Sequence, residues 1–325
     1  MSTPGTPARR GVPPLGLLFG FAIGAGVAVQ GRINGALGAR LDDGIAAATI
    51  SFGTGALALL LVAACAPRLR HGVGQVRTAL AEGVLRPWQL LGGLCGAFFV
   101  AAQSFTVALI GVTAFTVAVV AGQLVSSLAV DRLGLGPAGR TAITATRLFA
   151  AALAIGAVTV AALGRSVPPG ASVPGLPDLP YLFALLPALA GVGLAWQQAV
   201  NGRVGAVAGP FAATLANFTV GLLALLVLSA AVVATHGLPR AFPTAPWLYL
   251  GGLIGVVFIA LAAVTVRLLG VLLLGLTSVA GQLAASVALD LAAGTLSGPT
   301  VVGCVIVAAA VLLAAVRPGG PVSPS

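Results

Sequence analysis

Charge is what this chain lacks most. Charged side chains make up 7% of its 325 residues, against about 25% in a soluble domain. The stretch from Pro87 to Val130 carries none. Lysine is absent, and all sixteen basic residues are arginine. Those arginines sit mostly between apolar runs and form no dense stripe with interleaved aromatics, so the net charge of +10 does not point to nucleic acid. Orientation signals and contacts with anionic lipid account for it.

Catalytic hardware is missing too. There is no HExxH, no GxSxG and no P-loop. The two histidines, His71 and His236, fall between apolar runs. The three cysteines, Cys65, Cys95 and Cys304, have no metal-like spacing and read as packing residues. Glutamate occurs once, as Glu82 in a loop, so no membrane-embedded Glu is available to exchange protons for lipophilic cations. These absences argue against an enzyme and against any cofactor or metal.

What the chain has is apolar length. Hydrophobic residues make up 59% of it, and a membrane span needs about 20 in a row. Ten runs qualify, near 14–36, 44–66, 88–110, 112–131, 141–163, 181–202, 210–234, 247–268, 270–290 and 298–316. In lipid each run must satisfy its own backbone, so each is expected to be helical. Gly111 and Gly270 mark tight turns between paired spans. The first run has the full length of a span and is not read as a cleaved signal peptide. The expected fold is an all-α polytopic membrane protein. The bias to Ala, Gly, Val and Arg suggests a GC-rich bacterial genome, hence a bacterial plasma membrane.

The chain also repeats itself. Gln30 and Asn34 recur as Gln197 and Asn201, 167 residues on. Pro87-Trp88 and Gly92-Gly93 recur as Pro246-Trp247 and Gly251-Gly252, 159 residues on. Gln123, Ser127 and Asp131 recur at the same offset as Gln282, Ser286 and Asp290. The expected organisation is a tail (1–13), a first five-helix repeat (14–163), a Pro-rich linker (164–180), a second five-helix repeat (181–316) and a tail (317–325). Five spans per repeat places the second upside down relative to the first.

The arginines agree. With a cytoplasmic N-terminus, eleven fall inside, four (Arg32, Arg40, Arg165 and Arg240) fall outside, and Arg147 lies within a span. The loop after the second span has four arginines and its partner after the seventh has one. That bias predicts both termini inside. Val73, Val76, Leu80 and Val84 have helical spacing, which suits a short interfacial helix or a solvated loop equally.

Polar side chains on apolar helices are costly and tend to face the bundle interior or a cavity. Gln30 and Asn34 share a helix face, as do Gln197 and Asn201. Amides both donate and accept, so they suit a polar solute, and they equally suit glue between helices. Ser51-Phe52 and Asn217-Phe218 correspond in the second helix of each repeat and are candidates for the same cavity. Gln123 and Gln282 complete the candidate substrate set. Asp131, beside Arg132, reads as an interfacial carboxylate. Asp290 has no arginine neighbour and is the better of the two candidates for proton coupling. Trp196 is placed either to stack on a solute or to anchor at the interface.

These motifs resemble the drug/metabolite transporter superfamily, in particular its YdcZ-type branch of inner-membrane exporters. The resemblance rests on Gln30 and Asn34 followed by Ala48-Thr49-Ile50-Ser51-Phe52-Gly53, on Gln197 to Gly202 followed by Ala213-Thr214-Leu215-Ala216-Asn217-Phe218, and on Gly122-Gln123-Leu124 with Gly281-Gln282-Leu283. It implies ten helices in two inverted halves around a cavity that opens to alternate sides. The expectation is a secondary transporter that exports a small metabolite or drug-like solute, with the bilayer and that solute as partners and no nucleic acid. Alternatives are a lipid-carrier flippase and a non-transporting scaffold or accessory subunit. Nothing in the sequence fixes oligomeric state.

Overall fold

The computed structural model describes residues 14–136, 140, 143–163, 182–239 and 241–315. The linker 164–180 and both tails lie outside the described residues. So do the side chains of 266–273, where the turn at Gly270 was expected.

The described fold is all-helical. Its helices are α1 (Pro14–Leu41), α2 (Gly44–Cys65), α3 (Pro67–Ala81), α4 (Gly92–Leu133), α5 (Ala145–Leu163), α6 (Leu182–Ala208), α7 (Pro210–His236), α8 (Gly251–Ala292) and α9 (Gly298–Ala315). Short 3-10 turns at Pro87–Leu91 and Pro246–Tyr249 lead into α4 and α8. Five described segments are long and apolar enough to cross a membrane: Pro14–Leu41, Gly44–Cys65, Pro87–Leu133, Pro210–His236 and Leu274–Ala292.

Local chemistry sets the boundaries. The Asp43 carboxylate caps α2 by accepting from the Ile45 and Ala46 N–H groups, both at 2.9 Å. Pro67 at the first position of α3 and Pro210 at that of α7 start helices where a missing N–H costs nothing. Gly134 ends α4 in the left-handed conformation. Arg203 then donates to the Gly134 and Leu135 carbonyls, each at 2.7 Å.

As one straight rod, α4 would measure about 63 Å, twice the hydrocarbon thickness. It breaks at Gly111, whose φ of 80° and ψ of 164° leave the helical region. A side chain tolerates that φ poorly, which is why glycine stands there. The break matches the turn expected between the third and fourth spans. The two pieces, Gly92–Ile110 and Val112–Leu133, are each about 30 Å long.

Packing follows the sequence repeat. α4 packs chiefly on α6, and its counterpart α8 on α1; α2 packs on α7 and α5 on α9. Exchanging α1 with α6, α2 with α7, α4 with α8 and α5 with α9 maps these pairings onto themselves. Small residues allow the approach. A Cβ on Gly24 would lie 1.7 Å from the Ser278 carbonyl oxygen, and one on Gly191 would lie 2.0 Å from that of Val119. α4 is the innermost element, with Gln103, Val107, Val117 and Val119 fully buried. Leu61, Val227 and Leu312 point outward, 60–73% exposed. In water such a surface would aggregate; in lipid it faces its own kind.

The segment left open between helix and loop, 73–85, is helical as far as Ala81 and leaves the helix at 82–85. On α3, Val76 and Leu80 pack against Val204 and Ala213 of α6 and α7. Val73 and Val84 are exposed.

Candidate functional site

The repeated amides build two seams. In the first, Gln30 and Asn34 are buried on α1. Gln30 Nε2 donates to the Gly251 carbonyl at 3.0 Å. Asn34 Nδ2 donates to Gln103 Oε1 on α4 at 2.8 Å. Gly251 and Gly255 of α8 face this pair. A Cβ on Gly251 would sit 2.2 Å from Asn34 Oδ1 and 3.0 Å from Ser51 Oγ. One on Gly255 would sit 2.9 Å from Gln30 Nε2.

The second seam repeats the backbone arrangement. Gln197 and Asn201 on α6 face Gly92 and Gly96 of α4. A Cβ on Gly92 would lie 2.6 Å from Asn201 Oδ1, and one on Gly96 2.9 Å from Gln197 Nε2. Here both amides donate to one acceptor, Asn217 Oδ1 on α7, at 2.9 and 3.0 Å. No hydrogen bond among the described residues joins Gln30 or Asn34 to Gln197 or Asn201.

Phe52 and Phe218 connect the seams. Their ring centroids are 5.0 Å apart with the planes tilted by 38°. The Phe52 ring reaches the second seam at Gly96, and the Phe218 ring reaches the first at Gly255. Glycine at all four facing positions brings the backbone of α4 and α8 directly onto the amides. Both seams are closed in this structure.

The seams also hold polar atoms that have no partner among the described residues. Asn34 Oδ1, Ser51 Oγ and Gln197 Oε1 are buried without a hydrogen bond. Native interiors leave few such atoms, and each costs about 1–3 kcal/mol. The Asn34 and Ser51 oxygens face Gly251, which has no side chain to offer them.

The other expected residues lie elsewhere. Gln282 is buried and Gln123 half-buried, at the α8–α1 and α4–α6 contacts, with no described hydrogen bond to either seam. Ser127 and Ser286 turn back to the carbonyls of Leu124 and Leu283 on their own helices. Trp196 stacks on Trp88, with centroids 6.3 Å apart.

The two aspartates part company. Asp131 pairs with Arg147 in the first turn of α5, and not with its chain neighbour Arg132. Asp290 is fully buried, so it is not a water-facing interfacial carboxylate. Its two oxygens accept the Val112 and Thr113 N–H groups at 3.0 and 2.8 Å. It thus caps the helix that restarts after Gly111, where no water can do so.

Sequence reasoning missed Gln103. It is 1% exposed and supplies the Asn34 acceptor. Its position in the second half is Ala262, so the repeat gave no signal. An amide in the middle of a charge-free run was the available clue. A groove of about 420 Å³ lies along α3, lined by His71, Gln75, Thr78, Glu82 and Val207, separate from the seams. No group of three or more metal-ligating side chains occurs among the described residues.

No curated protein matches the chain. One solved structure, described only as "Crystal structure of protein", aligns with a TM-score of 0.45 and 19% identity over 92% of this chain and 95% of that one. A similarity that low informs neither fold nor function. The family model described as "Putative inner membrane exporter, YdcZ" matches residues 15–160 and 182–315. The match takes in both amide pairs, both facing glycine pairs and Phe52 with Phe218, and the chain therefore belongs to the YdcZ family of inner-membrane exporters.

Proposed function

We propose that this chain is a secondary active transporter that exports a small metabolite or drug-like solute by alternating access. The carrying observation is reciprocity. The amide pair of each sequence half faces a glycine pair of the other half, and the two seams meet at Phe52 and Phe218. A pathway closed by two equivalent seams opens at one end when one seam parts and at the other end when its counterpart parts. Glycine faces suit this motion, because parting them breaks few side-chain contacts.

In this reading the chain has ten spans in two inverted halves, 14–163 and 181–316, joined by the linker 164–180. Both termini are cytoplasmic, which the arginine distribution supports. The first seam then lies toward the outside and the second toward the cytoplasm. Gln30, Asn34, Ser51, Gln197, Asn201 and Asn217 contact the solute as it passes. Gln123 and Gln282 sit at helix contacts that slide during the change. The protein performs no covalent chemistry. Asp131 and Asp290 hold helix ends in place, and proton coupling through either requires release of its present partners.

Sided labelling tests this. The free cysteines Cys65, Cys95 and Cys304 are first replaced by alanine. Asn34→Cys and Asn201→Cys are then made singly. A membrane-impermeant thiol reagent is expected to reach position 34 from the periplasmic side and position 201 from the cytoplasmic side. If neither labels from either side, the amides are packing in a non-transporting scaffold.

A further inference from the structure

We infer that the solute carried is uncharged, and that it presents N–H or O–H donors beside a flat apolar face. This deepens the transport reading and rests on it. Three features of the seams lead there.

The first is neutrality. The seam side chains are amides, hydroxyls and phenyl rings. Among the described residues, the bonded ionisable groups inside the bundle bond outside the seams, and the half-buried Arg32, two residues from both Gln30 and Asn34, falls on the other face of α1. Asp131 holds Arg147, Arg203 holds the Gly134 and Leu135 carbonyls, and Asp290 receives the Val112 and Thr113 N–H groups. A formal charge brought between these helices meets no opposite charge and loses its hydration.

The second is the sign of the unmet hydrogen bonding. Asn34 Oδ1 and Gln197 Oε1 only accept, and Ser51 Oγ does either. Four seam amide nitrogens already make one bond each, Gln30 to the Gly251 carbonyl, Asn34 to Gln103, and Gln197 and Asn201 to Asn217, whereas the Asn34 and Gln197 oxygens make none. A solute that donates therefore gains bonds that the closed protein does not make. One that only accepts must use the second N–H of a nitrogen that is already bonded, the Asn217 amide or the Ser51 hydroxyl.

The third is shape. Phe52 and Phe218 meet as tilted rings 5.0 Å apart where the seams join. An offset or edge-on aromatic partner suits such rings. An amide attached to a flat ring combines all three properties.

The test uses four probes that share one ring. Benzamide is neutral and donates; acetophenone is neutral and only accepts; benzylammonium is a cation; benzoate is an anion. Affinities are read from the concentration dependence of the thermal unfolding midpoint of the purified full-length protein. Benzamide is expected to bind roughly tenfold tighter than each of the others. Its shift is expected to vanish in Asn34→Leu, and Asn34→Asp is expected to move the preference to benzylammonium. The wild-type ranking decides even if a variant fails to fold. A cation or anion preferred by the wild type overturns the inference and leaves transport intact. A benzamide shift that persists in Asn34→Leu, or no shift with any probe, also overturns it. Sided labelling at 34 and 201 then decides the transport reading separately.

Discussion

The two halves of this chain place the same residues in the same positions and bond them differently. In the second half, Gln197 and Asn201 both donate to Asn217, so α6 and α7 are tied within one half. In the first half the residue matching Asn217 is Ser51, which bonds neither amide. Gln30 reaches across to the Gly251 carbonyl of the other half, and Asn34 turns to Gln103. The carboxylates differ in the same manner. Asp290 caps a helix of the opposite half, whereas Asp131 pairs with Arg147 on the next helix of its own. Backbone packing is thus shared, and polar chemistry is not. Opening the first seam breaks a hydrogen bond between halves. The amides of the second seam make no described bond between halves, but Arg203 and Ser126 tie α6 to the first half through the Gly134, Leu135 and Val192 carbonyls.

The largest effect that separates the halves is expected at the carboxylates. Asp290→Ala leaves two buried N–H groups unmet at a helix start, at about 1–3 kcal/mol each. Asp131→Ala removes a half-exposed ion pair worth about 1 kcal/mol or less. Thermal unfolding of the two variants in one detergent checks the order. Equal midpoints would mean that the Asp290 cap does not hold α4 as described.

Next come Asn217→Ala and Ser51→Ala. The first strands the Gln197 and Asn201 donors, at about 1–3 kcal/mol each. The second removes a buried hydroxyl with no described partner and is expected to leave stability unchanged or to raise it. A Ser51→Ala variant as unstable as Asn217→Ala would show that the hydroxyl is bonded after all.

The smallest difference is expected from Gln103→Ala, which makes the first half resemble the second at that position. It strands one donor, Asn34 Nδ2, at about 1–3 kcal/mol. Because that bond ties α1 to α4 within the first half and does not cross the first seam, labelling at Asn201→Cys should stay unchanged. A changed rate at position 201 would mean that the Gln103 bond biases which seam is open.

Much of this was legible in the sequence, for reasons that particular residues show. Gln30, Asn34, Gln197 and Asn201 stand out because an amide on an apolar helix is costly, and two copies at one spacing are not chance. The Gly111 break was legible because a charge-free run longer than one span has to turn. The partners of those residues were not legible. Asp290 and Val112 are 178 positions apart, and only tertiary packing brings them together. Arg147 read as a residue within a span, yet it sits in the first turn of α5 and finds Asp131. The 3.6-residue period was visible in Val73, Val76, Leu80 and Val84, although α3 ends at Ala81, before Val84. The period does not say that α6 and α7 cover only Val76 and Leu80.

The central claim is that the seams are gates that part in turn. Its most direct measurement closes one covalently and reads the other. In the cysteine-free protein, Gln30→Cys and Gly255→Cys are joined by a short bis-maleimide across the first seam. Reaction of Asn201→Cys, introduced alongside and exposed to a cytoplasmic thiol reagent after joining, is then timed. The account predicts faster labelling at position 201 once the first seam is locked, because the population shifts to the state open at the second. An unchanged rate would contradict it, since the seams would then be independent packing contacts.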